Sequence, residues 1–330
     1  MKAHDIASGR DFVELPRLAG DFTTYVKLEG LNPTGSIKLK AAREMVKRAE
    51  ANGCIGPDTE IIESTSGNLG IALASICAAK GYRITLVTDP NANPRTIKYI
   101  RALGANLITV QERDGSGGYL QTRLDYIQSR LAADSRLLWL NQYANPANPE
   151  AHRTHTAREI FEGFGVPDWL FVGAGTSGTL MGCLQHISEH QLPTRLVAVD
   201  AVGSVLFGGP PGRRFIPGLG ASRRPELLVD DGSYDKVHVP ESETIRMCRR
   251  VAREHGLLLG GSSGTVLAAV AACRNRIART ETVVAISPDM GDGYLDTIYD
   301  DLWVVERFGV SVLTPSFETE ADSLARQLQE

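Results

Sequence analysis

Glu60-Ile61-Ile62-Glu63-Ser64-Thr65-Ser66-Gly67-Asn68-Leu69-Gly70-Ile71-Ala72-Leu73-Ala74-Ser75-Ile76-Cys77-Ala78-Ala79-Lys80-Gly81-Tyr82-Arg83-Ile84-Thr85-Leu86-Val87-Thr88 contains the pattern on which most of the chain is built. Residues 60–64 read as a short apolar strand, residues 68–80 as a helix and residues 84–88 as a second strand. A strand, a crossover helix and another strand make a βαβ unit, whose two strands run parallel.

The alternation continues in both directions. On the N-terminal side come a strand over residues 23–28 and a helix over 36–51. On the C-terminal side come a helix after Pro94, a strand over 106–110, a helix over 118–132 and a strand over 137–140. A second run begins near residue 151, with strands at 169–172, 196–200, 236–239 and 282–287 and helices at 177–190, 242–255 and 265–279. A loop rich in glycine, proline and arginine spans 208–224. The pattern predicts two α/β domains, each a parallel sheet between layers of helices, with a cleft between them. The smaller is expected over residues 35–144, and the larger over 1–34 plus 145–330. Ligands of open α/β sheets sit at the carboxyl ends of the strands, so chemistry is to be sought in the loops that follow them.

Composition narrows the function. The chain has 330 residues, 42% hydrophobic and 22% charged, with 35 basic and 39 acidic side chains. These values fit a globular protein and argue against disorder or a coiled coil. A net charge of -4 without a basic patch argues against nucleic-acid and membrane-surface binding. The five cysteines form no CxxC pair, and His152 and His155 lack a metal-ligand pattern around them. Free thiols in a reducing cytoplasm and no metal site are the expectation. Residues 256–273 are uncharged, but Gly260-Gly261-Ser262-Ser263-Gly264 at their centre would leave backbone groups unpaired in lipid, so no membrane span is expected.

Three loops have the composition of a ligand site. Gly173-Ala174-Gly175-Thr176-Ser177-Gly178-Thr179 follows a strand and opens a helix, the arrangement that offers free N–H groups to a phosphate. Its G-x-G-x-x-G spacing, with Asp200 ending the next strand, also imitates a dinucleotide fingerprint. Ser64-Thr65-Ser66-Gly67-Asn68 sets four hydroxyl or amide side chains at a helix start, suited to a carboxylate as well as to capping. Lys38, in Asn32-Pro33-Thr34-Gly35-Ser36-Ile37-Lys38, lies just inside a helix start, where the dipole disfavours a cation and is expected to lower its pKa. A lysine of lowered pKa is suited to Schiff-base chemistry.

With Asn141-Gln142-Tyr143-Ala144-Asn145-Pro146-Ala147-Asn148-Pro149 and Gly260-Gly261-Ser262-Ser263-Gly264, these segments resemble the fold-type II pyridoxal-phosphate enzymes of β-replacement, the cysteine synthase and cystathionine β-synthase family. The motifs occur in the family's order over nearly the whole chain. The resemblance implies a tryptophan synthase β-like fold and pyridoxal 5'-phosphate as cofactor. It also implies that Lys38 carries the cofactor, that Asn68 meets its 3-oxygen, and that Gly175, Thr176, Ser177, Gly178 and Thr179 hold its phosphate. Ser262 would face the ring nitrogen, a better candidate than Met290, which cannot hydrogen-bond there. Ser64, Thr65, Ser66 and Gln142 would take the substrate carboxylate.

Gly117-Gly118-Tyr119-Leu120-Gln121-Thr122-Arg123, Val199-Asp200-Ala201-Val202-Gly203-Ser204 and Pro217-Gly218-Leu219-Gly220-Ala221-Ser222-Arg223 are similar to a subgroup of that family. Its members join O-phospho-L-serine to L-glutamate in making 2,3-diaminopropionate for siderophores and antibiotics. Relatives are commonly homodimers, so a cytoplasmic homodimer is the expectation, with a downstream oxidoreductase acting on the product as a candidate partner. The likeness to that subgroup brings Arg123 and Tyr143 forward as binders of phosphate or glutamate. Three other readings are open: a cysteine synthase using sulfide, a dinucleotide-dependent oxidoreductase, and a catalytically silent ligand-binding protein.

Overall fold

A computed structural model describes residues 11–115 and 117–314. Its strands are β1 (Phe12–Pro16), β2 (Thr23–Leu28), β3 (Glu60–Ser64), β4 (Arg83–Thr88), β5 (Asn106–Thr109), β6 (Leu137–Trp139), β7 (Trp169–Gly173), β8 (Arg195–Ala201), β9 (Asp235–Val239) and β10 (Val283–Ser287). They form two sheets, one in the order β1-β2-β10-β7-β8-β9 and the other β5-β4-β3-β6. Every pairing is parallel except that of the edge strand β1 with β2. The sequence pattern missed β1, which precedes the regular alternation.

The helices are α1 (Lys38–Ala51), α2 (Asn68–Lys80), α3 (Pro94–Ala102), α4 (Leu120–Ala133), α5 (Ala147–Ala151), α6 (Arg158–Gly163), α7 (Gly178–Glu189), α8 (Glu241–His255), α9 (Gly261–Ala272) and α10 (Asp301–Phe308). A π-helical stretch, His152–Ala157, joins α5 to α6. Strand side chains alternate between faces, so each sheet has helices on both sides. Trp169 and Phe171 point into one core with Val251 and Val266, while Leu170 and Val172 point into another with Ile160 and Leu180. In the smaller sheet Ile61 packs beside Leu73, and Ile62 packs beside Ile127. Helix α2 is buried from Leu69 to Ala74 and at Ile76 and Cys77, and it ends on Gly81, whose φ of 73° is the left-handed conformation that stops a helix without a Cβ penalty.

One part of the interior is ionic. Lys27 Nζ lies 2.6 Å from Glu29 Oε1 and 2.7 Å from Glu159 Oε2. Lys40 Nζ lies 2.8 Å from Glu29 and 2.6 Å from the same Glu159 oxygen. Burial alone would raise the Glu29 carboxyl, but Lys40 and Lys27 outweigh it and hold it at about 2. The group links β2, the first turn of α1 and α6.

Candidate active site

The ends of β2, β3, β7 and β10 direct their loops toward one region. Beyond β2, Ser36 bridges to Asp289 and the Ile37 N–H donates to the Pro288 carbonyl, at 2.8 Å. This fixes the start of α1 beside the end of β10 and brings Lys38 into a cavity lined by Gly175, Thr176, Ser177, Gly178, Thr179 and Gly218. The Lys38 amine is lowered from its ordinary value. Burial is the main cause and Asp289 opposes it, so desolvation takes the place of the helix dipole expected from sequence.

The glycine loop after β7 is shaped as a cradle. Ser177 has φ 66° at the N-cap of α7, a left-handed conformation uncommon for a residue with a side chain. Its Oγ is buried without a hydrogen-bond partner. A Cβ on Gly178 would stand 2.0 Å from Asn148 Oδ1, so only glycine fits there. Asn148 Nδ2 donates to the Gln142 carbonyl at 2.8 Å and to Thr176 Oγ1 at 3.1 Å, tying the 141–149 loop to the cradle. Thr179 Oγ1 lies 3.3 Å from His152 Nε2, whose other nitrogen lies 3.0 Å from Thr156 Oγ1. Burial, helped by Lys38 and Lys40, holds His152 down at about 3, so the ring is neutral at physiological pH.

At the β3 end, Asn68 Nδ2 donates to Asp289 Oδ2 at 2.8 Å. Asp289 also accepts from Tyr294 Oη at 2.8 Å and from Ser262 Oγ at 3.4 Å. Burial raises its carboxyl, while the three donors and Lys38 act against that rise. Ser262 lies in the first turn of α9, where sequence had suggested a turn before the helix. It is buried against Gly218, part of the cavity wall. The sequence reading did not single out Asp289, which follows Pro288 directly after β10. The rule that ligands sit at carboxyl ends of strands would have found it.

The carboxylate loop is partly committed to its own fold. Thr65 Oγ1 accepts the N–H groups of Gly67 and Gly70, each at 3.2 Å, and so caps α2. Ser64 Oγ is buried without a partner, and Gln142 Nε2 donates to the Ser64 carbonyl at 2.9 Å. Ser66 is half-buried. Arg123 is 8% exposed, with Nε 3.4 Å from Asp89 Oδ2. Tyr143, next to Gln142, faces the charges of Arg123, Glu63, Arg223 and Arg214.

Glu63 is wholly buried under this loop. Its Oε1 accepts the Ser64 N–H at 2.9 Å and the Trp139 indole N–H at 3.2 Å, and its Oε2 has no partner. Burial outweighs those donors and pushes its carboxyl from 4.5 up to about 7. The folded protein therefore holds this proton longer than the unfolded chain does. This contribution to stability is full below about 4.5, is lost as pH rises to 7, and does not change with pH beyond that window. The shift corresponds to about 3 kcal/mol. Urea unfolding of wild type and Glu63→Gln across this range should show wild type losing about that much relative to the variant. A difference that stays constant with pH would place the proton elsewhere.

The orphaned Ser177 hydroxyl, the free N–H groups opening α7, the glycine that admits no Cβ and the desolvated Lys38 amine fit a phosphorylated aldehyde cofactor. Asp200, the ribose-binding residue of the dinucleotide reading, is wholly buried and its Oδ1 accepts the Ala201 N–H at 2.8 Å.

The fold and site are those of the pyridoxal-phosphate dependent enzymes, and the chain belongs to that family, whose model matches residues 8–289. Its cofactor is pyridoxal 5'-phosphate. Among individual relatives, it is 44% identical over 303 residues to an N-(2-amino-2-carboxyethyl)-L-glutamate synthase of Ralstonia nicotianae, covering 91% of this chain and 90% of that protein. It is 43% identical to one from Cupriavidus metallidurans, with 88% and 87% covered. Among solved structures, a mutant O-ureido-L-serine synthase with O-ureido-L-serine bound superposes with a TM-score of 0.82 at 31% identity, covering 100% of this chain and 98% of that one. An O-acetylserine dependent cystathionine beta-synthase from Helicobacter pylori gives 0.81 at 29% identity, with 91% and 99% covered.

Proposed function

We propose that the chain joins O-phospho-L-serine to L-glutamate, giving N-(2-amino-2-carboxyethyl)-L-glutamate and inorganic phosphate. The observation that carries this is the pair of relatives bearing that name, matched over about nine-tenths of both partners in one case. In the reaction a C–N bond forms at Cβ of serine as its Cβ–O bond breaks, and the phosphate leaves with the electron pair of that bond. The glutamate amine gives up one proton.

When bound, pyridoxal phosphate supplies the electron sink for the Cα–H bond. Lys38 holds the cofactor, takes the proton from Cα, and returns it once the new bond has formed. Desolvation favours the uncharged amine that can accept that proton. Gly175, Thr176, Ser177, Gly178 and Thr179 hold the cofactor phosphate, Asn68 its 3-oxygen side and Ser262 its ring nitrogen. Ser64, Thr65, Ser66 and Gln142 receive the substrate carboxylate, with Arg123 and Tyr143 beyond them toward the leaving phosphate. Residues 35–144 act as the smaller domain, closing on the larger one formed by 1–34 and 145–330. Within those limits, residues 1–10, 116 and 315–330 lie outside the described residues. The working enzyme is a cytoplasmic homodimer whose product passes to an oxidoreductase on the way to 2,3-diaminopropionate and a siderophore.

The test is mass spectrometry of products formed from phosphoserine with glutamate or sulfide. The expected product is the glutamate adduct, with one phosphate released per adduct. Rapid cysteine formation from O-acetylserine and sulfide, with phosphoserine ignored, would move the chain to the cysteine synthases.

A further inference from the structure

The loop between β8 and β9 carries four arginines that the reaction as described above does not use, and two of them, Arg214 and Arg223, lie near the site. It is tied to the site at three points. The Gly220 N–H donates to the Ala174 carbonyl of the cradle at 2.8 Å, and the Leu227 N–H donates to the Tyr143 carbonyl at 3.2 Å. Gly218 and Leu219 line the cavity that holds Lys38. Arg214 Nη1 donates to the Leu219 carbonyl at 2.9 Å, so its guanidinium is anchored to a residue of that wall. A Cβ on Gly220 would come within 2.3 Å of the same nitrogen, which fits a guanidinium packed onto the loop backbone.

Arg223 has its guanidinium carbon 5.6 Å from the centre of the Tyr143 ring and an ion pair to Glu226. The Nε atoms of both arginines are buried without a hydrogen-bond partner, as is that of Arg123. Among the described residues Arg214 makes no ion pair, and burial lowers its guanidinium from the ordinary value while Asp200 and Glu241 act from a distance. Unpaired buried guanidinium N–H groups are costly unless an anion completes them. Arg123 is already paired with Asp89, so Arg214 and Arg223 of the 214–223 loop are two further cations that act on Tyr143. A dicarboxylic amino acid carries the two anions that such a pair matches.

We propose that Arg214 and Arg223 form the acceptor subsite, gripping the carboxylates of incoming glutamate and setting the enzyme's preference for a dicarboxylic amine. This rests on the glutamate-adding reading above. The phosphoserine half of the reaction precedes glutamate and does not need these two residues, so the two halves can be read separately.

The experiment compares wild type, Arg223→Gln, Arg223→Lys and Arg214→Gln. Phosphate release from phosphoserine alone, in a single turnover, reports folded, loaded enzyme. The KM for glutamate and the preference for glutamate over glutamine report the subsite. The expected result is a burst within about twofold of wild type, a glutamate KM raised roughly 10- to 100-fold in the glutamine variants, and a collapsed preference for glutamate. Arg223→Lys should recover part of the affinity, since charge is kept and the fork is lost. An unchanged KM and preference, or a burst lost in step with the coupled reaction, would overturn the assignment. A wild type that releases phosphate but never joins glutamate would overturn the reading beneath it, and this assignment with it.

Discussion

Lys38→Ala should lower turnover of phosphoserine and glutamate roughly 1,000-fold or more, because one side chain both holds the cofactor and moves the Cα proton. The structural ground is local. Lys38 opens α1 and lines the cradle cavity, and burial lowers its amine, which favours the uncharged form that bonds the aldehyde. The test does not depend on turnover alone. After borohydride reduction, wild type should carry a stable pyridoxyl mass on the peptide containing Lys38, and Lys38→Ala should carry none. A label of equal size in the variant, or a wild type that takes up no pyridoxal phosphate, would put the attachment point elsewhere.

The next largest effect is expected at Arg123. Its guanidinium is nearly buried at the start of α4 and faces Tyr143 beside Gln142. A dianionic leaving group needs such a cation, and O-acetylserine does not. Arg123→Ala should therefore cost about 2–4 kcal/mol in transition-state binding of phosphoserine, roughly 30- to 1,000-fold in kcat/KM. Arg123→Lys should recover little, because bidentate contact is lost. Removing Arg123 also leaves Asp89 without its partner 3.4 Å away, so some general loss is expected in both variants. The discriminating quantity is the ratio of activity with phosphoserine to that with O-acetylserine. A fall in both substrates alike would mark Arg123 as structural.

Much of this was legible in the sequence, for a physical reason. Periodicity gives strands and helices directly, and the strand-loop-helix junctions at Ser64–Asn68 and Gly173–Gly178 are local features that a linear reading can find. The place of Lys38 in the cavity was legible because its neighbours form a motif. Asp289 was harder to see because its meaning is spatial: its partners Asn68, Ser262 and Tyr294 come from three separate parts of the chain. Glu63 was missed because nothing in the sequence says that a carboxylate in an apolar strand will have one oxygen without a donor. Arg214 lay in a stretch readable only as irregular, and its orientation depends on the Leu219 carbonyl. The lowered amine of Lys38 was anticipated in direction, but burial, which sequence shows poorly, is its cause.

The buried group of Lys27, Glu29, Lys40 and Glu159 bears on how this chain can be recombined with its kin. Lys40 stands two residues after Lys38 on α1, whereas its partners belong to β2, the residue beyond it and α6. A swap of residues 35–144 would take Lys40 from one parent and Lys27 with both glutamates from the other. If the incoming segment brought a neutral side chain there, two carboxylates held by two ammonium groups would lose their balance. Removing one partner from such a buried set costs about 3–5 kcal/mol, a large share of a domain's net stability of about 5–15 kcal/mol. Chimeras that exchange the lysine-bearing segment should therefore carry all four positions as one block, so that the parental boundary follows charge rather than secondary structure.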